Sequence, residues 1–240
     1  MKRILEGESI IKSFGGLTAV HDVDLHINQG EIVGLIGPNG AGKTTLFNLI
    51  SGAIPLSSGV VRFKGTKISG LKPNQICRRG IARTFQLIKL FANMTVLDNV
   101  MLSSLFGRSK NIHKSEAYED SLELLEFVGL SAVKMSPARE LTLANQKWLE
   151  VARGLATKPE LLLLDELMAG LNLTEVAQAM ELVISIRDKG VTIFMIEHVM
   201  KAIMSVCDRI IVIHHGVKIA EGTPQEITAN KKVVEIYLGE

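Results

Sequence analysis

A glycine-rich segment constrains this chain more than any other feature of its sequence. Gly37-Pro38-Asn39-Gly40-Ala41-Gly42-Lys43-Thr44 fits the pattern G-x-x-x-x-G-K-S/T at every required position. Residues 31–36, directly before it, have the pattern of a buried strand, and residues 45–50 have that of a helix. Such a strand-loop-helix unit predicts an α/β fold with a parallel sheet and a site for phosphate.

The residue types in this loop suit the binding of ATP with Mg²⁺. Glycines let backbone N–H groups turn inward around phosphate oxygens, and the helix adds its positive N-terminal end. We expect Lys43 to reach the β- and γ-phosphates and the Thr44 hydroxyl to ligate Mg²⁺. The alternative is a glycine-rich turn without a ligand. The predicted nucleotide-binding residues here are Gly37, Pro38, Asn39, Gly40, Ala41, Gly42, Lys43, Thr44 and Thr45.

A second motif is a run of four leucines, residues 161–164, that ends in Asp165 and Glu166. The run predicts a buried strand, and a carboxylate at its end can hold the metal ion, which is the role we expect for Asp165. Glu166 is then the candidate general base that polarises a water for attack on the γ-phosphate. The alternative is ordinary polar residues at the end of a strand, but the phosphate loop favours the catalytic interpretation.

The remaining pattern alternates strands with helices. Strands are expected at residues 23–27, 60–63, 191–196, 209–213 and 217–220. Thr174 is expected to cap a helix that ends at Lys189 before Gly190, and Thr223 to begin a short helix with a capping box. Thr95 with Asp98 gives a weaker capping signal. Helical stretches replace strands from 71 to 138, including residues 116–128 before Gly129. We therefore expect one domain, 1–240, with a core over 1–70 and 159–240 and a helical lobe over 71–158.

Composition excludes several classes of function. The 27 basic and 25 acidic side chains give a net charge of +2, which does not favour a nucleic-acid partner. The longest apolar runs are far shorter than the roughly 18 to 20 residues that cross a bilayer, so we expect no span. No secretory signal is expected at the start. Cys77 and Cys207 lack metal-ligand or redox spacing, which suits a reducing cytoplasm.

With these motifs in this order, the sequence resembles the ABC ATPases over essentially its whole length. It is most similar to the ATP-binding subunits of branched-chain amino acid importers. The resemblance implies a P-loop NTPase core with a parallel sheet, an N-terminal antiparallel β subdomain and an inserted helical subdomain. The segments that suggest this subgroup are Lys12-Ser13-Phe14-Gly15-Gly16-Leu17-Thr18-Ala19-Val20, Gly80-Ile81-Ala82-Arg83-Thr84-Phe85-Gln86, Glu221-Gly222-Thr223-Pro224 and Tyr237-Leu238-Gly239-Glu240.

The resemblance assigns three further site residues. Phe14 would stack on adenine, Gln86 would sense Mg²⁺ and the attacking water, and His198 would contact the γ-phosphate and orient that water. The alternatives are a core phenylalanine, an exposed glutamine without a role and a structural histidine at a strand end.

The segment that aligns with the family signature Leu-Ser-Gly-Gly-Gln departs from it. Here it is Leu141-Thr142-Leu143-Ala144-Asn145, followed by a helix expected over residues 146–157. Thr142 keeps a hydroxyl and Ala144 stays small, so both are candidate phosphate contacts. Leu143 is expected to conflict with the positive-φ backbone that glycine permits. Leu167 and Asn172 also differ from the usual proline and aspartate.

The resemblance implies an ATPase that converts ATP to ADP and phosphate as the motor of a transporter, here for import of branched-chain amino acids or related amphipathic solutes. Its partners would be a membrane permease and a second ABC ATPase, and it would lie in the cytoplasm against the inner face of the membrane. The coupling surface would surround Gln86 to Phe91, with Leu87, Ile88, Leu90 and Phe91 exposed, unless these four pack inside the helical lobe. Alternatives are a soluble ABC ATPase in DNA repair or translation, which usually has two ATPase units or a coiled-coil insert, and a regulatory module with weak turnover.

Overall fold

Two β-sheets organise residues 2–238, the part of the chain that the computed structural model describes. Their strands are β1 (Arg3–Phe14), β2 (Leu17–Asn28), β3 (Ile32–Ile36), β4 (Ser58–Phe63), β5 (Thr66–Lys67), β6 (Ile81–Arg83), β7 (Leu161–Asp165), β8 (Thr192–Ile196), β9 (Arg209–His214) and β10 (Val217–Gly222). The first sheet has the order β2-β1-β4-β5 and is antiparallel. The second has the order β10-β9-β3-β8-β7-β6 and is parallel except for β10.

Nine α-helices in the described chain surround and extend these sheets. They are α1 (Lys43–Ile50), α2 (Pro73–Cys77), α3 (Val96–Gly107), α4 (Lys114–Phe127), α5 (Leu143–Ala156), α6 (Leu173–Asp188), α7 (Met200–Val206), α8 (Pro224–Ala229) and α9 (Lys231–Leu238). Helices α3, α4 and α5 pack on one another and form the helical lobe. The fold is thus the expected α/β core with an N-terminal antiparallel sheet and an inserted helical lobe.

The leucines of β7 show how the core is built. All five residues of this strand are buried, as are those of β3 and β8, because a parallel sheet is covered on both faces. Leu162 and Leu164 pack with the helical lobe and α6, whereas Leu161 and Leu163 pack with α1 and the antiparallel sheet. The strand is therefore fixed from both sides, and its carboxyl end places Asp165 at the edge where β3 meets the glycine-rich loop.

All the predicted strands are present, but β1, β5 and β6 were not predicted. Strand β6 lies inside the range 71–158 expected for the helical lobe, yet it pairs in parallel with β7 and belongs to the core sheet. It is only three residues long, too short for a periodic pattern. β1 shows several register shifts against β2, and these break the alternation that would have revealed it.

The helix ends confirm most of the capping predictions and correct one. Thr223 and Glu226 form the expected capping box, Thr95 caps α3, and Gly129 and Gly190 follow α4 and α6 with positive φ. Thr174, however, is not the cap of α6. Asn172 is, since its side-chain oxygen accepts hydrogen bonds from the N–H groups of Thr174 and Glu175. The residue that departs from the family pattern therefore begins this helix.

Three other expectations concern the chain as a whole. No helix within residues 2–238 combines the length and apolar character needed to span a membrane. Both cysteines are free, and burial raises the pKa of each thiol above its ordinary value. In the C-terminal motif that suggested the subgroup, Gly239 and Glu240 lie outside the described residues.

Candidate functional site

The glycine-rich loop joins β3 to α1 and is wedged between two other strands. Gly42 has a φ of +102°, and a Cβ atom there would stand 2.4 Å from the carbonyl oxygen of Ala19. A Cβ atom on Gly37 would lie 2.1 Å from the carbonyl oxygen of Ile213. Only glycine fits at these positions, so the loop geometry is enforced by β2 and β9. Lys43 donates hydrogen bonds from Nζ to the carbonyl oxygens of Gly37 at 2.7 Å and Pro38 at 2.9 Å.

A cavity of about 250 Å³ opens above this loop and brings most of the predicted site together. Its lining consists of Ala19, Asn39, Gly40, Ala41, Gly42, Lys43, Thr44, Thr45, Gln86, Glu166 and His198. The three residues that the sequence placed far from the loop, Gln86, Glu166 and His198, therefore face it across the cavity. The predicted site residues that do not line it are Phe14, Gly37, Pro38, Thr142, Ala144 and Asp165.

Glu166 is held between the two side chains assigned with it. Its Oε1 lies 2.9 Å from His198 Nε2, and its Oε2 accepts a hydrogen bond from Gln86 Nε2 at 3.0 Å. The backbone of Glu166 has a φ of +55°, a left-handed conformation that non-glycine residues seldom adopt. Its N–H donates to the carbonyl oxygen of Ile196 on β8 at 2.9 Å. The carboxylate is thus fixed at the mouth of the phosphate cavity.

Asp165, one residue earlier, is buried and paired with a residue that received no role from the sequence. Arg83, at the end of β6, donates from Nη2 to Oδ2 of Asp165 at 2.9 Å and from Nη1 to Asn48 on α1 at 2.6 Å. The other carboxylate oxygen, Oδ1, is buried and has no hydrogen-bond partner among residues 2–238. Burial raises the pKa of Asp165, although Arg83 favours the carboxylate. A buried carboxylate oxygen without a partner, beside the phosphate loop, is suited to ligate a cation.

The signature segment forms the start of α5 and corrects two expectations. The helix begins at Leu143 rather than at Gln146, and the Thr142 side chain caps it by accepting from the N–H of Asn145 at 3.3 Å. The expectation that Leu143 meets a positive-φ backbone is wrong, because this position is helical and absent from the positive-φ residues. A Cβ atom on Gly170 would stand 3.1 Å from Cδ2 of Leu143, so the leucine lies against the loop after Glu166.

Phe14 stands at the turn between β1 and β2. It pairs with Leu17 across the hairpin, its ring is half-exposed, and the Lys12 ammonium lies 4.8 Å from the ring centroid. It is not a core phenylalanine. Strand β2 continues from this turn to Ala19, which lines the phosphate cavity. The exposed ring is therefore carried by the same hairpin that touches the glycine-rich loop.

A second and larger cavity, of about 730 Å³, lies beside the segment between β6 and α3. Phe85, Leu90 and Phe91 line it, with Glu150 and Arg153 from α5. Leu87 is 80% exposed and Phe91 is 46% exposed, whereas Ile88 and Leu90 are half-buried. The alternative in which all four apolar residues pack inside the helical lobe is therefore wrong for Leu87 and Phe91.

Three charged residues of the site were missed by sequence reasoning: Arg83, Lys147 and Glu197. Lys147 on α5 donates to the backbone carbonyl oxygen of Glu166 at 2.9 Å, and Glu197, directly before His198, accepts from the N–H of Met168 at 2.8 Å. Burial raises the pKa of Glu197 to about 7. Arg83 lies three residues before Gln86 in the segment that suggested the subgroup, so its position was available but its partner was not.

Comparison with known proteins identifies the family of this chain. The model of the family described as "ABC transporter" matches residues 20–169, and that described as "Branched-chain amino acid ATP-binding cassette transporter" matches residues 217–240. The high-affinity branched-chain amino acid transport ATP-binding protein BraF of Pseudomonas aeruginosa is 39% identical over 99% of this chain and 98% of its own.

Two further relatives extend the match. The corresponding protein LivG of Escherichia coli is 40% identical with the same coverage. A crystal structure of an ATP-binding cassette of an ABC transporter in its ADP conformation is 33% identical, covers 100% of both chains and superposes with a TM-score of 0.90. Since a family model covers more than half of the chain and full-length relatives exceed 30% identity, this chain belongs to the ABC transporter family of ATP-binding cassettes.

Proposed function

We propose that this chain is the ATP-hydrolysing motor subunit of a membrane transporter that imports branched-chain amino acids. The observation that carries the enzymatic half is the placement of the Glu166 carboxylate between Gln86 and His198 at the mouth of the phosphate cavity. The transported solute is inferred from the relatives, which are named as branched-chain amino acid transport proteins over nearly their full length. The whole chain acts as one ATPase domain.

ATP is the substrate that fits the cavity. Backbone N–H groups of the loop and the N-terminus of α1 receive its phosphates, and Lys43 adds a positive charge, since its ammonium already lies inside the loop. Phe14 offers a ring face for adenine, which needs no base-specific hydrogen bond. Thr142 and Ala144 lie outside the cavity of their own chain and would contact the nucleotide of a second ATPase subunit at the N-terminus of α5.

Mg²⁺ accompanies the nucleotide. Thr44 and Asp165 would hold it, and the free Oδ1 of Asp165 supports this assignment, with Gln86 close to the same edge of the cavity. When bound, the ion offsets the charge of the phosphates and of the leaving group. Arg83 fixes the other oxygen of Asp165, so the carboxylate is oriented before any ligand arrives.

Hydrolysis is an in-line attack of water on the γ-phosphorus. Glu166 accepts a proton from the water while the oxygen of that water bonds to the γ-phosphorus. The bond between this phosphorus and the oxygen that bridges to the β-phosphate breaks, leaving ADP and phosphate. Gln86 and His198 hold the two carboxylate oxygens and so set the direction from which the water is activated. Positioning of this kind supplies much of the catalysis in phosphoryl transfer.

The larger cavity is the docking site for the permease. Phe91 lines this cavity and is exposed, and Leu87 on the same segment is exposed as well. Exposed apolar side chains grouped in this way are typical of a protein interface. Phe85 lines the cavity and directly precedes Gln86, which bonds the Glu166 carboxylate. A partner bound in the cavity would therefore be linked to the hydrolytic carboxylate. The chain would thereby lie in the cytoplasm against the inner face of the membrane, and its second partner would be another ABC ATPase.

Transport in a reconstituted system tests the proposal. The chain would be co-purified with its permease, placed in liposomes and supplied with MgATP and radiolabelled leucine. We expect uptake of leucine that requires ATP, with little uptake of labelled lysine as a control solute. If none of leucine, isoleucine and valine is taken up in an ATP-dependent manner, the assignment of the solute is wrong.

A further inference from the structure

The geometry points to Lys147 as a positioning residue that sets the Glu166 backbone and ties it to the signature helix. The inference rests on the proposed function, because Glu166 must be the hydrolytic carboxylate for its placement to matter. It adds a residue of α5 to a site otherwise built from the loop after β3 and the ends of β6, β7 and β8.

Hydrogen bonds hold the backbone of Glu166 on two sides. Its N–H donates to Ile196 on one side, and its carbonyl oxygen accepts from the Lys147 ammonium on the other, each at 2.9 Å. A left-handed backbone at a non-glycine residue persists only where the surroundings hold it. Lys147 is one of three groups bonded to the Glu166 backbone, since the Ala169 N–H also donates to the Glu166 carbonyl oxygen, at 3.3 Å. This backbone aims the carboxylate at Gln86 and His198.

Burial of the Lys147 side chain also supports this role. Lys147 is 8% exposed, and a buried ammonium is costly unless something compensates it. Within residues 2–238 it forms no ion pair within 4.0 Å, and its side-chain hydrogen bond goes to Glu166. Glu150 on the same helix, Glu197 at the end of β8 and Glu166 itself supply negative charge nearby. The hydrogen bond to the Glu166 carbonyl and these carboxylates offset part of the cost of burying the charge.

Lys147 lies near the N-terminal end of α5, the end that Thr142 caps. It follows Leu143, the first residue of the helix, by four positions and so lies one turn further along the same face. Thr142, which caps that end, is a proposed contact to the nucleotide of the second subunit. A helix turn moves as a unit, hence a displacement at Thr142 would reach Glu166 through Lys147. This hydrogen bond would link the proposed nucleotide contact of Thr142 to the proposed hydrolytic carboxylate.

Steady-state hydrolysis by K147M, K147R and the wild type tests this role. Methionine has a similar volume without the charge, and we expect kcat to fall about tenfold or more while KM and the Kd for a fluorescent ATP analogue stay within twofold. K147R should recover most of the lost kcat. K158M is the control, because Lys158 follows α5 but pairs with Asp120 on the surface. A K147M kcat within twofold of wild type would overturn the inference.

Two additional measurements keep the result interpretable. Thermal melting reports folding, and if K147M is unfolded the comparison of K147Q with K147R replaces it, with the same expected loss and recovery. In an E166Q background, K147M should lower the residual single-turnover rate by less than twofold, since Lys147 acts only through Glu166. A further tenfold loss there would contradict the inference. Absence of turnover in the wild type would instead count against the proposed function.

Discussion

Glu166 is where backbone geometry and chemistry meet in this molecule. A φ of +55° costs a non-glycine residue about 1–3 kcal/mol, which the chain tolerates because β8 and α5 hold the peptide on both sides. The conformation turns the side chain of Glu166 out of the strand and towards the cavity. Strain at this position is therefore consistent with a role in hydrolysis rather than with packing.

The helical backbone of Leu143 removes the expected conflict with a positive-φ conformation and so changes what a glycine at this position should do. Because Leu143 begins a helix, a change to glycine relieves no backbone strain and removes a side chain that lies against the loop after Glu166. We expect L143G to lose up to about 1 kcal/mol of stability and to hydrolyse ATP no faster than wild type. L143A is the matched control in both melting and phosphate-release assays. Faster turnover by L143G would show that this position needs glycine freedom after all.

Glu150 makes stability depend on pH. Burial raises the pKa of this carboxyl from about 4.5 to about 7, so the folded chain binds more protons than the unfolded chain between these values. Its contribution to stability is fully present below pH 4.5 and is lost as pH rises through 7. We expect the melting temperature of E150Q to fall less than that of wild type between pH 5 and pH 8.

Glu197 titrates in the same direction and remains in that variant, so the dependence should shrink rather than vanish. E126Q, a change at an exposed acid on α4, is the control and should follow the wild type. Equal slopes for E150Q and wild type would contradict the assigned pKa.

At the scale of elements, the start of α6 separates two candidate caps. Asn172 and Glu175 form a capping box in which each side chain accepts a hydrogen bond from the other residue's N–H, whereas Thr174 is simply the second residue of the helix. We expect N172A to lower the free energy of unfolding by about 1 kcal/mol and T174A to change it by less than half as much. Denaturant titration measures both, and a larger loss in T174A would restore threonine as the cap.

The length and regularity of each strand decided whether sequence reasoning could find it. Strands β3 and β7 are continuous apolar runs bounded by glycine or acids, so their burial was visible. β6 is three residues on an edge and β1 is interrupted by register shifts, so neither has a clean period. In the site, the loop and Asp165-Glu166 are contiguous motifs, but the bonds from Arg83 and Lys147 join residues distant in sequence. Such pairings depend on the packed fold and leave no local signal.

At the scale of the whole molecule, the apolar cavity lined by Phe85 and Phe91 gives a prediction about the proposed docking site for a permease. We expect F91E to lose co-purification with the permease, because a charge would be buried against an apolar partner. F106E is the matched control, since Phe106 is 68% exposed on α3 and does not line the cavity. Retention of the permease by F91E and its loss by F106E would move the docking surface elsewhere.

In the proposed activity, the glycine-rich loop holds ATP while Glu166 activates the water that cleaves the ATP. Steady-state phosphate release by purified wild type and E166Q, with millimolar MgATP, tests it most directly. We expect E166Q to retain nucleotide with an unchanged Kd but to release phosphate at least about 100-fold more slowly, because a general base is lost. Equal rates in the two proteins, whether both active or both inactive, would contradict it.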